Sequence, residues 1–312
     1  MGRINSAYSI VLIFFLCVTH FSYAVEPKEK GDKQNIPLYR QRLGELITYE
    51  KPEEGFFHEL DSYVKYIPSR GDKASSGSVS IVQAATEYSY DMKIGGRLPV
   101  QLGVATKYTG IDNTTKVKLP SNLTFAIFGA EITLPFFNFD NNYFRINLEP
   151  SLFGSRWNFR SSSFRFLQQY FIISQPNEYF TLLLGVAVFP DFEDEVWPIL
   201  GFIWQPNDKL KFNIIPKNPN ITYSFNEKLD IFLEWDMSFG EYEVDRDNAK
   251  NVVLQYNETT AGLGLQYNIN KNMQFLFSAG GVFDRYLKYR DDSGKVSIKN
   301  GAYLNCQFQI KI

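Results

Sequence analysis

The feature that most constrains this chain is a hydrophobic period of two residues, sustained in one segment after another from residue 77 to the end. In the last segment Ala302, Leu304, Cys306, Phe308, Ile310 and Ile312 fall on one face, and Tyr303, Asn305, Gln307, Gln309 and Lys311 on the other. Successive side chains of a strand point to opposite faces, so one side is apolar and the other wet. The same division holds for Leu229, Ile231, Leu233, Trp235, Met237 and Phe239 against Asp230, Glu234, Asp236 and Ser238, with Phe232 the one exception. Leu98, Val100, Leu102, Val104 and Tyr108 oppose Arg97, Gln101 and Lys107. Phe144, Ile146, Leu148 and Leu152 oppose Arg145, Asn147, Glu149 and Ser151, and Met273, Phe275, Phe277, Ala279 and Phe283 oppose Gln274, Ser278, Gly280 and Asp284. A chain patterned in this way folds as sheet.

Turn signals divide the pattern. Asp140-Asn-Asn142, Pro206-Asn-Asp208, Asn226-Glu-Lys228 and Asn268–Asn272 are tight and polar. Longer polar stretches alternate with them at 110–118, 154–163, 190–195, 245–251 and 290–295. Alternating short turns and long loops describe a meander whose two ends face different compartments. The spacing predicts strands near 78–90, 96–109, 122–136, 143–153, 164–175, 179–189, 197–205, 210–216, 220–225, 229–244, 252–267, 273–289 and 296–312. A weaker stretch at 56–67 would make fourteen, and the short pair around Pro216-Lys-Asn-Pro219 leaves twelve open.

The beginning of the chain follows different rules. Arg3 precedes a continuous apolar run, Ile10–Val18, and Ser22-Tyr23-Ala24 places small residues at the −3 and −1 positions of a cut after Ala24. This is the plan of a secretory signal peptide over 1–24. From Val25 to Ser76, 19 of 52 residues are charged, against 46 of 236 from Gly77 onward. The segment 25–76 therefore reads as a charged preface, disordered over Glu26–Lys33, with one short amphipathic helix within 36–50 and a possible first strand at 56–67. Residues 77–312 form the β-domain.

Alternation alone does not separate a soluble sandwich, which buries its apolar faces between two sheets, from a membrane barrel. Three further features favour the barrel. Many strands run roughly 13–17 residues, beyond the usual length in soluble domains. The polar side carries full charges of both signs, as a wet interior would. Aromatic residues such as Tyr88, Tyr90, Phe136, Tyr179, Trp197, Trp204, Tyr267 and Tyr286 gather near strand ends, where bilayer interfaces favour them. A helical span is excluded, because the longest apolar run after the signal is Leu182–Phe189. In hydrocarbon every backbone N–H and C=O must pair within the sheet, which requires closure. The expected fold is all-β: a closed antiparallel up-and-down transmembrane β-barrel of 12–14 strands.

The strand ending at Ile312 resembles the terminal strand that the barrel-assembly machinery recognises in bacterial outer-membrane proteins, with Ile in place of the usual Phe. Pro198-Ile-Leu-Gly-Phe-Ile-Trp-Gln-Pro206, then Ile215-Pro-Lys-Asn-Pro-Asn-Ile-Thr-Tyr223 and Gly240-Glu-Tyr242, resemble an uncharacterised family of outer-membrane barrels over 190–312. The resemblance implies location in the outer membrane of a Gram-negative bacterium and contact with its lipid and lipopolysaccharide. It brings no functional residues with it.

Chemistry-bearing residues are sparse. After the signal only His58 and Cys306 remain of their kinds, which excludes an intramolecular disulfide and a multi-histidine metal site and leaves no catalytic histidine among the strands from residue 78 onward. Cys306 reads as a buried small hydrophobe on the apolar face. Asp191, Glu193, Asp194 and Glu195 read as a solvated loop tip, since no calcium-ligand spacing is present. No enzyme activity, metal or cofactor is expected, and a formal net charge of −2 gives no footprint for nucleic acid. What remains is a set of charges predicted to face the lumen: Arg97, Lys107, Arg145, Glu149, Lys211, Asp230, Glu234, Asp236, Glu258, Asp284 and Lys311. They permit a passive pore or small-solute transporter whose charges bias ion passage, or a non-conducting structural or surface-interaction barrel closed by salt bridges. A soluble periplasmic β-protein with a hydrophobic ligand is the third alternative.

Overall fold

The computed structural model describes residues 57–95, 98–135, 141–216, 219–246 and 249–311. The signal peptide and the amphipathic helix expected from the sequence lie outside them. One antiparallel sheet contains β1 (Phe57–Gly71), β2 (Ser78–Ile94), β3 (Leu98–Asn113), β4 (Asn122–Pro135), β5 (Asn142–Gly154), β6 (Phe164–Asn177), β7 (Phe180–Val188) and β8 (Val196–Trp204). It continues with β9 (Leu210–Asn213), β10 (Asn220–Asn226), β11 (Leu229–Arg246), β12 (Ala249–Asn270), β13 (Met273–Tyr289), β14 (Lys295–Ile298) and β15 (Gly301–Lys311).

From β1 to β13 each strand pairs with the next in sequence, and β1 pairs with β15 from Glu59↔Lys311 to Tyr66↔Leu304, so the sheet closes on itself. β14 and β15 follow one another along β13, through Arg285↔Ile298 and Val282↔Gly301, and act as one strand interrupted at 299–300. The barrel therefore has fourteen strand positions, and the weak stretch at 56–67 is its first. Closure leaves the first and last strands no free edges.

Most short turns, the start of β1 and the end of β15 share one end of the barrel, and the longer loops share the other. The exception is β11–β12, expected as a long stretch at 245–251, where the strands run on to Arg246 and from Ala249 and only two residues connect them at the loop end. The outward face is apolar around the circumference, with Phe128, Leu200, Met237 and Leu263 each at least 60% exposed. Phe277 and Leu304 continue the belt. Soluble monomers rarely expose contiguous apolar surface on this scale. The apolar faces are not stacked between two sheets, as a soluble sandwich would require. Cys306 belongs to this outward face and is exposed, contrary to the buried thiol expected.

Phe232, which breaks the alternation of its strand, has a structural reason. It points inward opposite Gly264, and its ring occupies the space that a side chain there would fill. Phe171 lies over Gly185 in the same relation. Each ring covers the bare backbone of its cross-strand partner.

At the loop end Asp72 ties the β1–β2 connection to β14. Its carboxylate accepts from the Ser75 hydroxyl at 2.6 Å, the Ala74 amide at 3.3 Å and the Ser297 amide at 3.2 Å. Burial pushes the acid upward, but these hydrogen bonds outweigh it and hold the carboxyl below its usual range. Because the folded-state value lies below the unfolded one, the stabilisation is complete above a pH of about 3.9 and drains away as pH falls through the folded value. Protection of the Ser297 amide against hydrogen exchange should fall on acidification through that window, and Asp72→Asn should abolish the dependence.

Candidate functional site

Inward-facing residues make two unlike walls. On β1, β2, β3, β11, β12 and β15 the lining is polar and interlocked. Lys65 Nζ donates to Glu258 Oε1 at 2.7 Å, and the Tyr256 hydroxyl donates to Glu258 Oε2 at 2.5 Å. Gln83 Nε2 donates to the Tyr256 oxygen at 2.9 Å. Glu258 and Gln83 are fully buried, so neither wall of this network is wet. The Tyr303 hydroxyl donates to Glu234 at 2.7 Å, and Lys107 Nζ reaches Ser238 Oγ at 3.4 Å. Towards the turn end, Gln307 donates to both oxygens of Asp61 and Gln309 to Glu59.

The inner faces of β5–β8 are mixed: Arg145, Asn147 and Glu149 of β5 and Arg165 of β6 stand beside an apolar cluster. Tyr143, Phe171, Ile173, Leu183 and Ile203 form one buried cluster, joined by Ile199 and by Ile215 from the β9–β10 connection. At the loop end a second cluster fills the lumen. Ile67, Ile81, Leu123, Phe153, Leu254 and Leu287 from the wall meet Phe192 of the β7–β8 loop and Val117 and Leu119 of the β3–β4 loop. The wet interior expected from the charges is thus replaced by a buried polar network and two apolar clusters.

The second half of β11 keeps its ladder with β12 up to Arg246↔Ala249, but no strand pairs with its other side among the described residues. Gly240–Val244 is buried on both faces. On its inward side Tyr242 meets Phe153 at 5.5 Å. On its outward side Glu243 accepts from Ser163 Oγ at 3.3 Å, and Asp245 takes both terminal nitrogens of Arg160 at 2.8 Å. The acidic β7–β8 loop closes over the same stretch: the Glu193 amide donates to Glu241 at 2.9 Å, and Arg290 Nη1 donates to the Asp191 carbonyl at 2.8 Å. This loop is anchored to the barrel through buried Phe192, while Asp191, Glu193, Asp194 and Glu195 are exposed, as a solvated tip requires.

Register places Lys107, Arg145, Glu149, Lys211, Asp230, Glu234, Asp236, Glu258 and Lys311 on inward positions, with Lys211 opposite Thr222 and Asp230 opposite Ser224. They do not form one ring. Arg145 pairs with Glu131 at 3.1 Å, and Glu149 accepts from Asn147 at 2.7 Å, on the wall away from Lys65 and Glu258. Arg97 lies outside the described residues.

Asp284 departs from the set. It sits at φ 44° where β13 carries one residue more than β12, between Phe283↔Thr259 and Tyr286↔Asn257, and it is exposed. A bulge shifts the faces by one position, so Arg285 takes the inward place, 2% exposed and with no hydrogen-bond partner for its guanidinium among the described residues. Periodicity passes over Arg285 because the alternation of Met273–Phe283 predicts the opposite face. His58 lies on the outer face near the turn end, its ring 5.0 Å from that of Tyr90 and its Nδ1 2.5 Å from the Tyr88 hydroxyl. There it borders a shallow groove with Leu102.

A family model described as Domain of unknown function (DUF6268) matches residues 74–311. Among solved structures, the chain is similar to the COG4313 outer membrane channel from Pseudomonas putida F1, at 8% identity and a TM-score of 0.47, covering 91% of this chain and 100% of that one. The P. putida toluene transporter TodX matches at 8% identity and a TM-score of 0.38, with 85% and 91% covered. A KdgM porin matches at 12% identity and a TM-score of 0.34, with 81% and 98% covered. No curated protein sequence matches the chain.

Proposed function

The chain belongs to the family described as Domain of unknown function (DUF6268), and from that premise we propose that it is a passive channel for small solutes in the bacterial outer membrane, closed in the conformation described above. The exposed apolar belt on a sheet whose first and last strands pair supports the membrane setting. One observation carries the channel reading. The lumen is shut at the loop end by side chains from connecting loops, Phe192, Val117 and Leu119, packed onto the wall. Barrels of about eight strands are filled by their own side chains, whereas fourteen enclose more space than the wall fills. Loops can withdraw without unfolding the sheet, so this closure is reversible.

A second reading, a non-conducting structural barrel, is favoured by the Lys65–Glu258–Tyr256–Gln83 network, which fastens β1, β2 and β12 across intervening strands. Planar-bilayer recording decides between them. The purified barrel is expected to give stepwise conductance with cation preference, and Glu234→Gln to lower that preference. A silent bilayer at high protein load would leave the structural reading.

A further inference from the structure

The wall has a break. β9 pairs with β8 at Ile203 and Trp204, with one further backbone bond from the Ile214 amide to the Phe202 carbonyl at 2.8 Å. β10 pairs with β11 from Leu229 to Glu234, with one further bond from the Trp235 amide to the Pro219 carbonyl at 3.1 Å. Beyond these points, among the described residues, no strand pairs with the facing edges of β8 and β11 in the half nearer the long loops. The chain that would have continued the wall turns inward after β9, and the Ile214 carbonyl and Ile215 press so closely on Gly201 that a Cβ there would lie 2.8 Å from that oxygen.

Side chains close the break in place of hydrogen bonds. Trp197 belongs to the inward face of β8, with Ile199 and Ile203, while Phe239 belongs to the outward face of β11, with Met237. Their rings nevertheless stack at 5.0 Å with planes 2° apart. The inner surface of β8 therefore overlaps the outer surface of β11, as two overlapping flaps would. Phe239 also meets Phe189 edge-on at 5.3 Å.

Both mouths of this seam are apolar. Outside, Val196 and Met237 are about as exposed as any residue of the apolar belt, at 61% and 60%. Nine residues of β8 climb roughly 20 Å at the usual rise and tilt, which keeps the seam at the level of hydrocarbon. Inside, Phe189 and Phe192 lead to the apolar cluster of Phe171, Ile173, Leu183, Ile199 and Ile203 on β6–β8. A lining of that kind gives nothing to an ion, whose hydration it cannot replace.

We propose that the β8–β11 seam is a lateral gate through which small apolar molecules pass between the lumen and the surrounding hydrocarbon. That solutes traverse the lumen rests on the channel reading above; the solute class rests on the apolar residues at both mouths, and the gate itself on the strand register. Opening breaks no strand ladder between the two edges; it parts the rings of Trp197 and Phe189 from Phe239 and releases the Glu193 amide of the β7–β8 loop from Glu241.

An apolar photoreactive probe dissolved in the bilayer, a trifluoromethyl-phenyldiazirine, tests the gate in the full-length protein in lipid vesicles. Irradiation is expected to label the inner apolar cluster, at Phe171 and Leu183, as well as the outer face at Leu263. In Trp197→Cys/Phe239→Cys, made with Cys306→Ser, a short reducible bis-thiol bridge is expected to abolish inner labelling, leave Leu263 labelling unchanged, and be reversed by reduction. Because bridged and reduced samples are the same folded molecules, loss of label cannot come from misfolding. If the double variant fails to fold, Phe239→Ala is expected to raise inner labelling. Inner labelling that is absent from the parent, or indifferent to the bridge, overturns the gate. Conductance recorded on the same samples separates the two readings: a bridged barrel that conducts but is unlabelled inside supports both, and an unbridged barrel that is silent yet labelled inside, and loses that label on bridging, supports the gate alone.

Discussion

Lys65→Met is expected to destabilise the barrel by about 3–5 kcal/mol, the cost of leaving a buried charge uncompensated. Lys65 and Glu258 have side chains 9% and 0% exposed, and their bond is 2.7 Å. An exposed pair would be worth only about 0–1 kcal/mol, so the size of the effect reports whether water reaches this part of the lumen. Without the ammonium, Glu258 retains only the Tyr256 hydroxyl among the partners described above. The measurement is the urea midpoint of barrel unfolding in liposomes. Lys65→Met/Glu258→Leu should recover most of the loss, since an apolar pair removes both the charge and its demand for a partner. A midpoint unmoved in the single variant would mean that the interior is hydrated there, and would weaken the non-conducting reading at its source.

Phe192→Ala is expected to open the loop end. The ring lies 5.8 Å from Phe153 and 5.6 Å from Phe189, and it is 4% exposed. Truncating a packed phenylalanine costs about 3–5 kcal/mol where the surroundings cannot collapse. Here the cost falls on the docking of one loop, while the strand ladders are untouched, so the expected result is undocking of the β7–β8 loop. Planar-bilayer recordings should give larger or more frequent openings than in the parent protein. Leu263→Ala, on the outer face, removes a similar apolar group without touching the lumen and should leave conductance unchanged. Equal conductance in Phe192→Ala and the parent would place the constriction deeper, at the polar network.

Much of the architecture is legible from the period of two. Strands read at 122–136, 143–153 and 273–289 correspond to β4, β5 and β13 within a residue or two. β1 is fainter in sequence because its inward positions include apolar Tyr63 and Ile67 beside Lys65, so its two faces contrast weakly. β8 is fainter still: Val196-Trp-Pro-Ile-Leu-Gly-Phe-Ile-Trp204 is apolar on both faces, and no periodicity distinguishes a lipid face from a lining face in such a run. That ambiguity hides the apolar cluster of β5–β8 and the seam behind it. The charges on Asp191–Glu195 likewise conceal Phe192, the residue that docks the loop.

Local patterning was sufficient to determine the strands, their short-turn and long-loop ends, and which side chains share a face, because the pleat alternates residue by residue wherever the ladder is regular. Tertiary structure alone decided that Lys65 meets Glu258 across intervening strands, that a bulge brings Arg285 inward in place of Asp284, and that the second half of β11 lies beneath β8. Those outcomes depend on stagger, closure and strand length around a whole ring. Neighbours in the chain carry no record of partners that only closing the sheet brings together.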